Sequence, residues 1–523
     1  MRSKWRVVAC ATVTLGLLAG ACGGSDSDSS SPEEGTTDTR EATTGGSATI
    51  VQPVDAQSLD PNAVINSPSQ GSTPLQALYD SLYTVDQETG DFQPRIATAF
   101  ERSEDCLTWT MTLRDDVTFT DGTAYDAEAV LAEWTRSKEN IRSSGYSPLT
   151  YFVDTMAAVD PTTFQVNLKL PHCYFHEVAP WANLVWIPSP TAVAAEGDNY
   201  TNAPVGAGPF MLESRTPGSE TTLTRNPDYW QEGLPKLDTL EITTVPDPQQ
   251  ASDTLTTGGA DASVSVQDLY AQQAEDAGAT LVDTNQIGGS NLLINSKRPP
   301  FDDIRAREAI YLAIDMEQIN QTVAGGTAEV PTSLFPEGTP FFNPDVQFPG
   351  PDPVEAQRLL DELAAEGTPV AFTIVNAGGD SNTQSIAIQT QLSAYDNLEV
   401  EVAQIDGASY GTTLYGGEFD VAIYGVGGQT PDPVIQSMNT GWAIPIASMD
   451  SAEVDALLAQ EREATTFEDR KAALDELTQA IADLYRFKWR NVNHAWAAMN
   501  PDVAGLVNYG QGTSLLENFG RVG

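Results

Sequence analysis

From residue 305 onward the chain alternates helical and extended periodicity, and this alternation limits its fold more than any other feature. Residues 305–314 and 353–366 repeat apolar side chains at helical spacing, whereas 370–375 and 400–405 are short β-rich runs. Helices that alternate with strands bury their apolar faces on a largely parallel sheet, so the expected class is α/β. Residues 451–486 carry Leu457, Leu458, Leu474, Leu477, Ile481 and Leu484 on apolar stripes with a break near Thr465, which predicts a helical pair on a sheet. Upstream, 48–54 reads as a strand, 75–82 as a short helix, 109–120 as a half-buried strand closed by Asp121-Gly122, and 127–138 as a helix. Residues 206–212 and 221–225 read as a hairpin, and 240–245 as a further strand.

The 523 residues suffice for two or three domains, and 40% hydrophobic against 19% charged residues supports packed cores. With 73 acidic and 26 basic residues the formal charge is −47, which argues against nucleic acid as a partner. Few of the basic residues are Lys, a pattern suited to a solvated surface in a salty medium; steering of cationic solutes is the alternative.

Arg2, Lys4 and Arg6 precede an apolar run over 7–21 that ends in Leu18-Ala19-Gly20-Ala21-Cys22. This reads as a signal peptide over 1–21 with a lipoprotein ending, Cys22 being the lipidated residue, although Ala19 stands where Leu is usual. The run is shorter than the roughly 20 apolar residues of a transmembrane helix. Residues 22–47 are rich in Ser, Thr, Gly and acids without a large apolar side chain, and read as a flexible tether. The expected location is therefore extracytoplasmic, on the outer face of the cell membrane. Export also favours a disulfide between the two remaining body cysteines, Cys106 and Cys173, each beside a β-like run; two buried free thiols are the alternative.

Several separate blocks carry a family resemblance. They are Leu78-Tyr79-Asp80-Ser81-Leu82 with Gln93-Pro94-Arg95-Ile96-Ala97; residues 109–126, with Leu113-Arg114-Asp115-Asp116-Val117 and Phe119-Thr120-Asp121-Gly122; Gly206-Ala207-Gly208-Pro209-Phe210 followed by Arg225-Asn226-Pro227-Asp228-Tyr229-Trp230; residues 295–315; and Phe419-Asp420-Val421 leading to Pro431-Asp432-Pro433. In this order they resemble the family 5 solute-binding proteins of bacterial ABC importers, the peptide, dipeptide and nickel binders. The resemblance implies a two-lobe type II periplasmic-binding-protein fold of α/β class with an extra α+β subdomain inserted in the first lobe. It places lobe I at 48–70, 186–286 and 491–523, the insertion at 71–185 and lobe II at 287–490. Chain crossings are expected near 286–291 and 488–495.

By the same resemblance Asp432 is the expected anchor for a peptide's amino terminus, a charge-assisted contact; a turn or capping role before Pro433 is the alternative. Val426 stands where the family often has Trp, leaving Trp442 as the expected wall of the cleft. No Arg or Lys lies between 376 and 389, where dipeptide binders carry an Arg for the ligand carboxylate, so a peptide longer than a dipeptide fits better. Tyr424, Tyr410, Tyr415 and Trp496 are aromatic candidates, and Asp60 and Ser290 are expected where a first-lobe loop and a crossing approach the ligand. Arg305 and Arg307 read as surface or interlobe ion pairs.

Two other chemistries leave traces. Gly407-Ala408-Ser409-Tyr410-Gly411 matches a nucleophile elbow, with His494 downstream, so a secreted serine hydrolase is the alternative from another class. His172, Cys173 and His176 have spacing for a metal on one helix face, against the plainer reading of an exposed or capping pair. The expectation is a monomeric binding protein, without catalytic residue, metal or cofactor, that passes a peptide to permease subunits. A non-peptide solute such as an oligosaccharide, metal chelate or amine is the alternative within the same fold.

Overall fold

The computed structural model describes residues 40–523 apart from 87, 88, 285, 324 and 493. The signal peptide, Cys22 and most of the tether lie outside these residues. The end of the expected tether is instead tied to the body. Arg40 donates to Pro501 O at 2.6 Å, Ala42 bridges Val522, and Thr43 N donates to Arg521 O at 2.7 Å.

Two sheets organise the body. The first has seven strands in the spatial order Thr280–Val282, Trp496–Met499, Ala262–Val266, Ser47–Gln52, Thr239–Thr244, Glu220–Arg225, Phe210–Thr216. Ser47–Gln52 runs parallel to both its neighbours, and the last two strands are the hairpin expected from sequence. The second sheet has five strands in the order Leu398–Gln404, Val370–Asn376, Val421–Gly428, Ile287–Ile294, Phe487–Asn491. Among the described residues the chain passes from the first sheet to the second after Val282 and back after Asn491.

Between the strands Ser47–Gln52 and Phe210–Thr216 the chain builds a separate four-stranded antiparallel sheet, Ala97–Arg102, Thr108–Leu113, Thr163–Leu168, Val153–Asp160. Its second strand alternates half-buried and buried residues, with Trp109, Met111 and Leu113 inward, as a sheet covered on one face requires. The helix Ala127–Glu139, capped by the Asp126 carboxylate on Ala129 N, lays Val130 and Trp134 on that core. Cys106 and Cys173 form a disulfide beside this sheet.

The cores follow the strand period. On Ile287–Ile294, Leu293 enters a core with Ala422, Leu474 and Leu477, while Leu292 and Ile294 face the opposite one with Ile310, Leu360 and Ile374. The helical pair is present as Ala452–Glu463 and Phe467–Ala482, capped by Ser451 and Thr466. The first lobe and the inserted sheet instead share one core. Arg305 makes surface pairs with Asp303 and Glu366, but Arg307 is buried and donates to the carbonyls of Leu484 and Phe301 rather than to an acid. No helix among the described residues is long and apolar enough to cross a membrane.

Candidate functional site

The surface where the two sheets meet is built first by the crossings. Gly288 and Gly289 open the strand into the second lobe at φ 81° and 157°. A Cβ on Gly288 would lie 2.2 Å from Val426 O, and one on Gly289 2.2 Å from Asn491 O, so both positions need glycine. The next residue, Ser290, is opposite Gly425 and Asn491; its hydroxyl donates to Tyr424 O at 3.4 Å and accepts from Arg490 Nη1 at 2.8 Å. Tyr424 and Tyr410 are half-buried, and burial pushes both phenols up to about 12, so each is a neutral hydrogen-bonding ring. Tyr410 donates to Ile423 O, and Tyr415 is exposed.

On the first-lobe side, His494 Nδ1 lies 3.3 Å from Asp283 Oδ2, which ties one crossing to the other. Its ring stacks on Trp496 at 5.4 Å, and Trp496 Nε1 donates to Asp268 at 2.9 Å. Burial opposes charge on His494, but the hydrogen bond and charge of Asp283 outweigh it and raise its pKa. The crossings therefore bring together Ser290, Arg490 and Tyr424 on one sheet and His494 and Trp496 on the other.

A second meeting place joins the inserted subdomain to the second lobe. Asp432 is here, fully buried, its Oδ2 2.9 Å from His172 Nε2. It faces the inserted subdomain rather than open solvent. Trp442 is likewise buried, against Tyr151 and Phe152 at 5.3 and 5.8 Å, within the core of the first lobe. Asp432 in the short helix Pro431–Val434 and Trp442 in the loop beyond reach across from the second lobe, so local sequence could not tell a ligand wall from a lobe contact. Trp181 reaches back and donates to Gly427 O at 3.0 Å, and the Gln429 amide spans Val85 O at 3.2 Å and Gly510 N at 2.7 Å. Asp60 caps Asn62 N and takes both guanidinium nitrogens of Arg136 at 2.7 Å, which is an ion pair within the first lobe and its insertion.

The rival chemistries do not assemble. Gly407–Gly416 is a helix capped by Asp406, and the Ser409 hydroxyl donates to that carboxylate at 2.6 Å. The elbow pattern is thus a helix cap. His172 is buried and His176 half-buried, and no cluster of three or more His, Cys, Asp or Glu able to hold a metal occurs among the described residues. Sequence reasoning missed Arg490, Gln429, Glu177, Glu461 and Arg470. The last two lie in the helical stretch 451–486 outside the apolar residues that mark its stripes.

The family model for bacterial extracellular solute-binding proteins, family 5 Middle, matches residues 91–441. Glutathione-binding protein GsiB of Escherichia coli K12 is 26% identical over 444 residues, 84% of this chain and 82% of that protein. GsiB of Salmonella paratyphi A is 27% identical over 443 residues, with 84% and 81% covered. Among solved structures, the periplasmic binding protein AgaA of A. tumefaciens R10 with agropinic acid superposes with TM-score 0.78 at 22% identity, covering 91% of this chain and 99% of that one. The Bacillus subtilis oligopeptide-binding protein AppA with a nonapeptide gives 0.77 at 18% identity, covering 92% and 100%. Helicobacter pylori DppA with the peptide STSA gives 0.77 at 20% identity, covering 92% and 99%. These likenesses establish the two-lobe type II binding-protein fold, and with a family model spanning most of the body, the chain belongs to the bacterial extracellular solute-binding proteins of family 5.

Proposed function

We propose that this protein is the extracytoplasmic solute receptor of an ABC importer, held to the membrane by lipid on Cys22, that closes its two lobes over a peptide and presents it to permease subunits as a monomer. The observation that carries the reading is the surface at the crossings, where Ser290, Tyr424, Tyr410 and Trp496 offer neutral hydrogen-bonding and stacking groups from both lobes. Aromatic rings beside a few placed polar groups suit a peptide's side chains and backbone. Relatives named for glutathione and structural neighbours holding a dipeptide, a tetrapeptide and a nonapeptide support a peptide ligand, and the lack of Arg or Lys between 376 and 389 favours one longer than a dipeptide. In this reading Asp432 and Trp442 act at the lobe contact, and Asp60 in its ion pair with Arg136.

Native mass spectrometry of protein purified from its own host, against a denatured sample, tests the reading: a released peptide is expected. Titration calorimetry with glutathione, Ser-Thr-Ser-Ala and a nonapeptide then ranks length, and Ser290→Ala or Tyr424→Ala should weaken the best of them about tenfold, or 1.4 kcal/mol. Agropinic acid in AgaA favours a second reading, a non-peptide acid. Binding of such a solute with no peptide response would replace the first.

A further inference from the structure

The contact between the inserted subdomain and the second lobe is a buried cluster of ionisable groups. Arg470 stands at its centre, with Nη1 and Nη2 on Glu177 at 2.6 and 3.0 Å, Nε on Glu461 at 2.7 Å, and its guanidinium 3.5 Å from the centre of the Tyr174 ring. Gln436 donates to Glu461 at 3.1 Å and accepts from Arg462 Nη1 at 2.8 Å. Asp432 N donates to Glu177 at 3.3 Å, and Cys173 N to Arg462 O at 2.8 Å. His172, Glu177, Asp432, Glu461, Arg462 and Arg470 are each at most 5% exposed.

The hydrogen bonds fix the charge of this cluster. Tyr174 N donates to His172 Nδ1 at 3.3 Å, which leaves the single ring proton on Nε2, beside Asp432. His172 is therefore neutral. The three carboxylates of Glu177, Asp432 and Glu461 then face the two guanidiniums of Arg462 and Arg470, so one negative charge is in excess among side chains that are each at most 5% exposed. An uncompensated buried charge is costly, and a carboxyl group in this position neutralises by taking a proton.

We propose that closing the lobes takes up one proton, shared between Asp432 and Glu461, so that the protein holds its lobes together more tightly in neutral than in alkaline surroundings. This rests on the reading of the two lobes as parts that open and close over a solute. Burial pushes the Glu461 carboxyl up to about 7 against the pull of Arg470, and burial followed by the Glu177 charge raises Asp432 well above its ordinary range. In the open state both would return toward ordinary carboxylate values near 4. The closed state thus binds the extra proton above pH 4, and that advantage is lost as pH rises through the raised values. His172 works oppositely: burial pushes it down to about 3, so closure releases a proton wherever the open imidazole is charged, below about 6.5. The two effects offset one another from about pH 4 to 6.5, and net uptake remains from about 6.5 upward.

The other groups facing the cluster do not supply the missing charge. From the inserted subdomain these are Tyr83, Tyr151, Tyr174 and His176: burial raises the three phenols and lowers the imidazole, so all four stay neutral. Arg102 is exposed, its Nη1 on Cys106 Sγ at 2.8 Å. The disulfide holds the imidazole in place, since His172 N donates to Cys106 O at 3.0 Å and Trp109 Nε1 to His172 O at 3.0 Å.

Small-angle scattering of the dilute protein at pH 6.5, 7.5 and 8.5, with and without glutathione or the best peptide, measures the closed fraction. The closed-to-open ratio of the wild type should fall about three- to tenfold from pH 6.5 to 8.5, and Glu461→Gln should flatten that slope while keeping the lobes closed. Asp432→Asn serves if Glu461→Gln does not fold. A solute-driven closure with no pH dependence would overturn the proton uptake while leaving the receptor reading intact. Lobes that neither solute nor pH moves would overturn both.

Discussion

Two buried clusters of acids among the described residues are built differently. In the first lobe, Asp80 accepts from Arg95 Nε and Nη2 at 3.0 and 2.6 Å, from the Tyr229 hydroxyl at 2.7 Å, from Trp230 Nε1 at 2.8 Å and from Ser81 N at 2.6 Å, while Arg95 also holds Glu517 at 2.8 Å. Every donor belongs to one lobe and its insertion, which share a core. Between the lobes, by contrast, two arginines serve three acids: Asp432, Glu461, Arg462 and Arg470 come from the second lobe, and Glu177 with His172 from the insertion. A buried charge ringed by donors within one rigid body is a fixed part of the structure; one assembled across a moving contact becomes a variable.

The sharpest break of this comparison is Arg470→Ala. It leaves Glu177 and Glu461 buried without their cation, and should cost about 3–5 kcal/mol in urea unfolding at pH 7.5. Asp80→Asn should cost about 2–4 kcal/mol, since Arg95 loses a partner inside a closed core, whereas Asp432→Asn should cost less than about 1 kcal/mol and gain on the wild type as pH rises. Equal losses for Asp80→Asn and Asp432→Asn at pH 8.5 would erase the distinction. Cys173→Ala should lose about 2–4 kcal/mol, read as a lower Tm that reductant reproduces in the wild type. The smallest effect belongs to the crossings. Because the His494 pKa is raised by Asp283, its contribution is fully present below the ordinary histidine value and fades as pH rises through the raised one. Asp283→Asn should remove this pH dependence at a cost of a few tenths of a kcal/mol, seen in Tm between pH 6 and 8.

Much of the fold is legible locally. The helices Ile304–Ala313 and Pro353–Ala365, the strands Val370–Asn376 and Leu398–Gln404, and the helical pair after Ser451 lie within a few residues of their periodic patterns. The disulfide expected of an exported pair is formed. The site was less legible. Ser290, expected from the resemblance near a crossing, lies in the strand that follows it, just after Gly288 and Gly289, whose backbone only glycine allows. Asp432 carries the same local signals as a ligand anchor, yet its side chain meets His172, distant in the chain and in another subdomain.

The sequence by itself determined the α/β class, the family and the elements, because each is written in short-range periodicity, ordered motifs or residue type; it left the pairing of Cys106 with Cys173 open against two free thiols, and the structure decided it. Only the tertiary structure decided that residues 40–46 belong to the body, that Ser409 lies in the first turn of a helix capped by Asp406, and that Glu461 and Arg470 are buried partners. The physical reason is that charge on a helix surface has no fixed meaning until another element covers it. Burial and partnership are properties of pairs of segments, and no single segment encodes them.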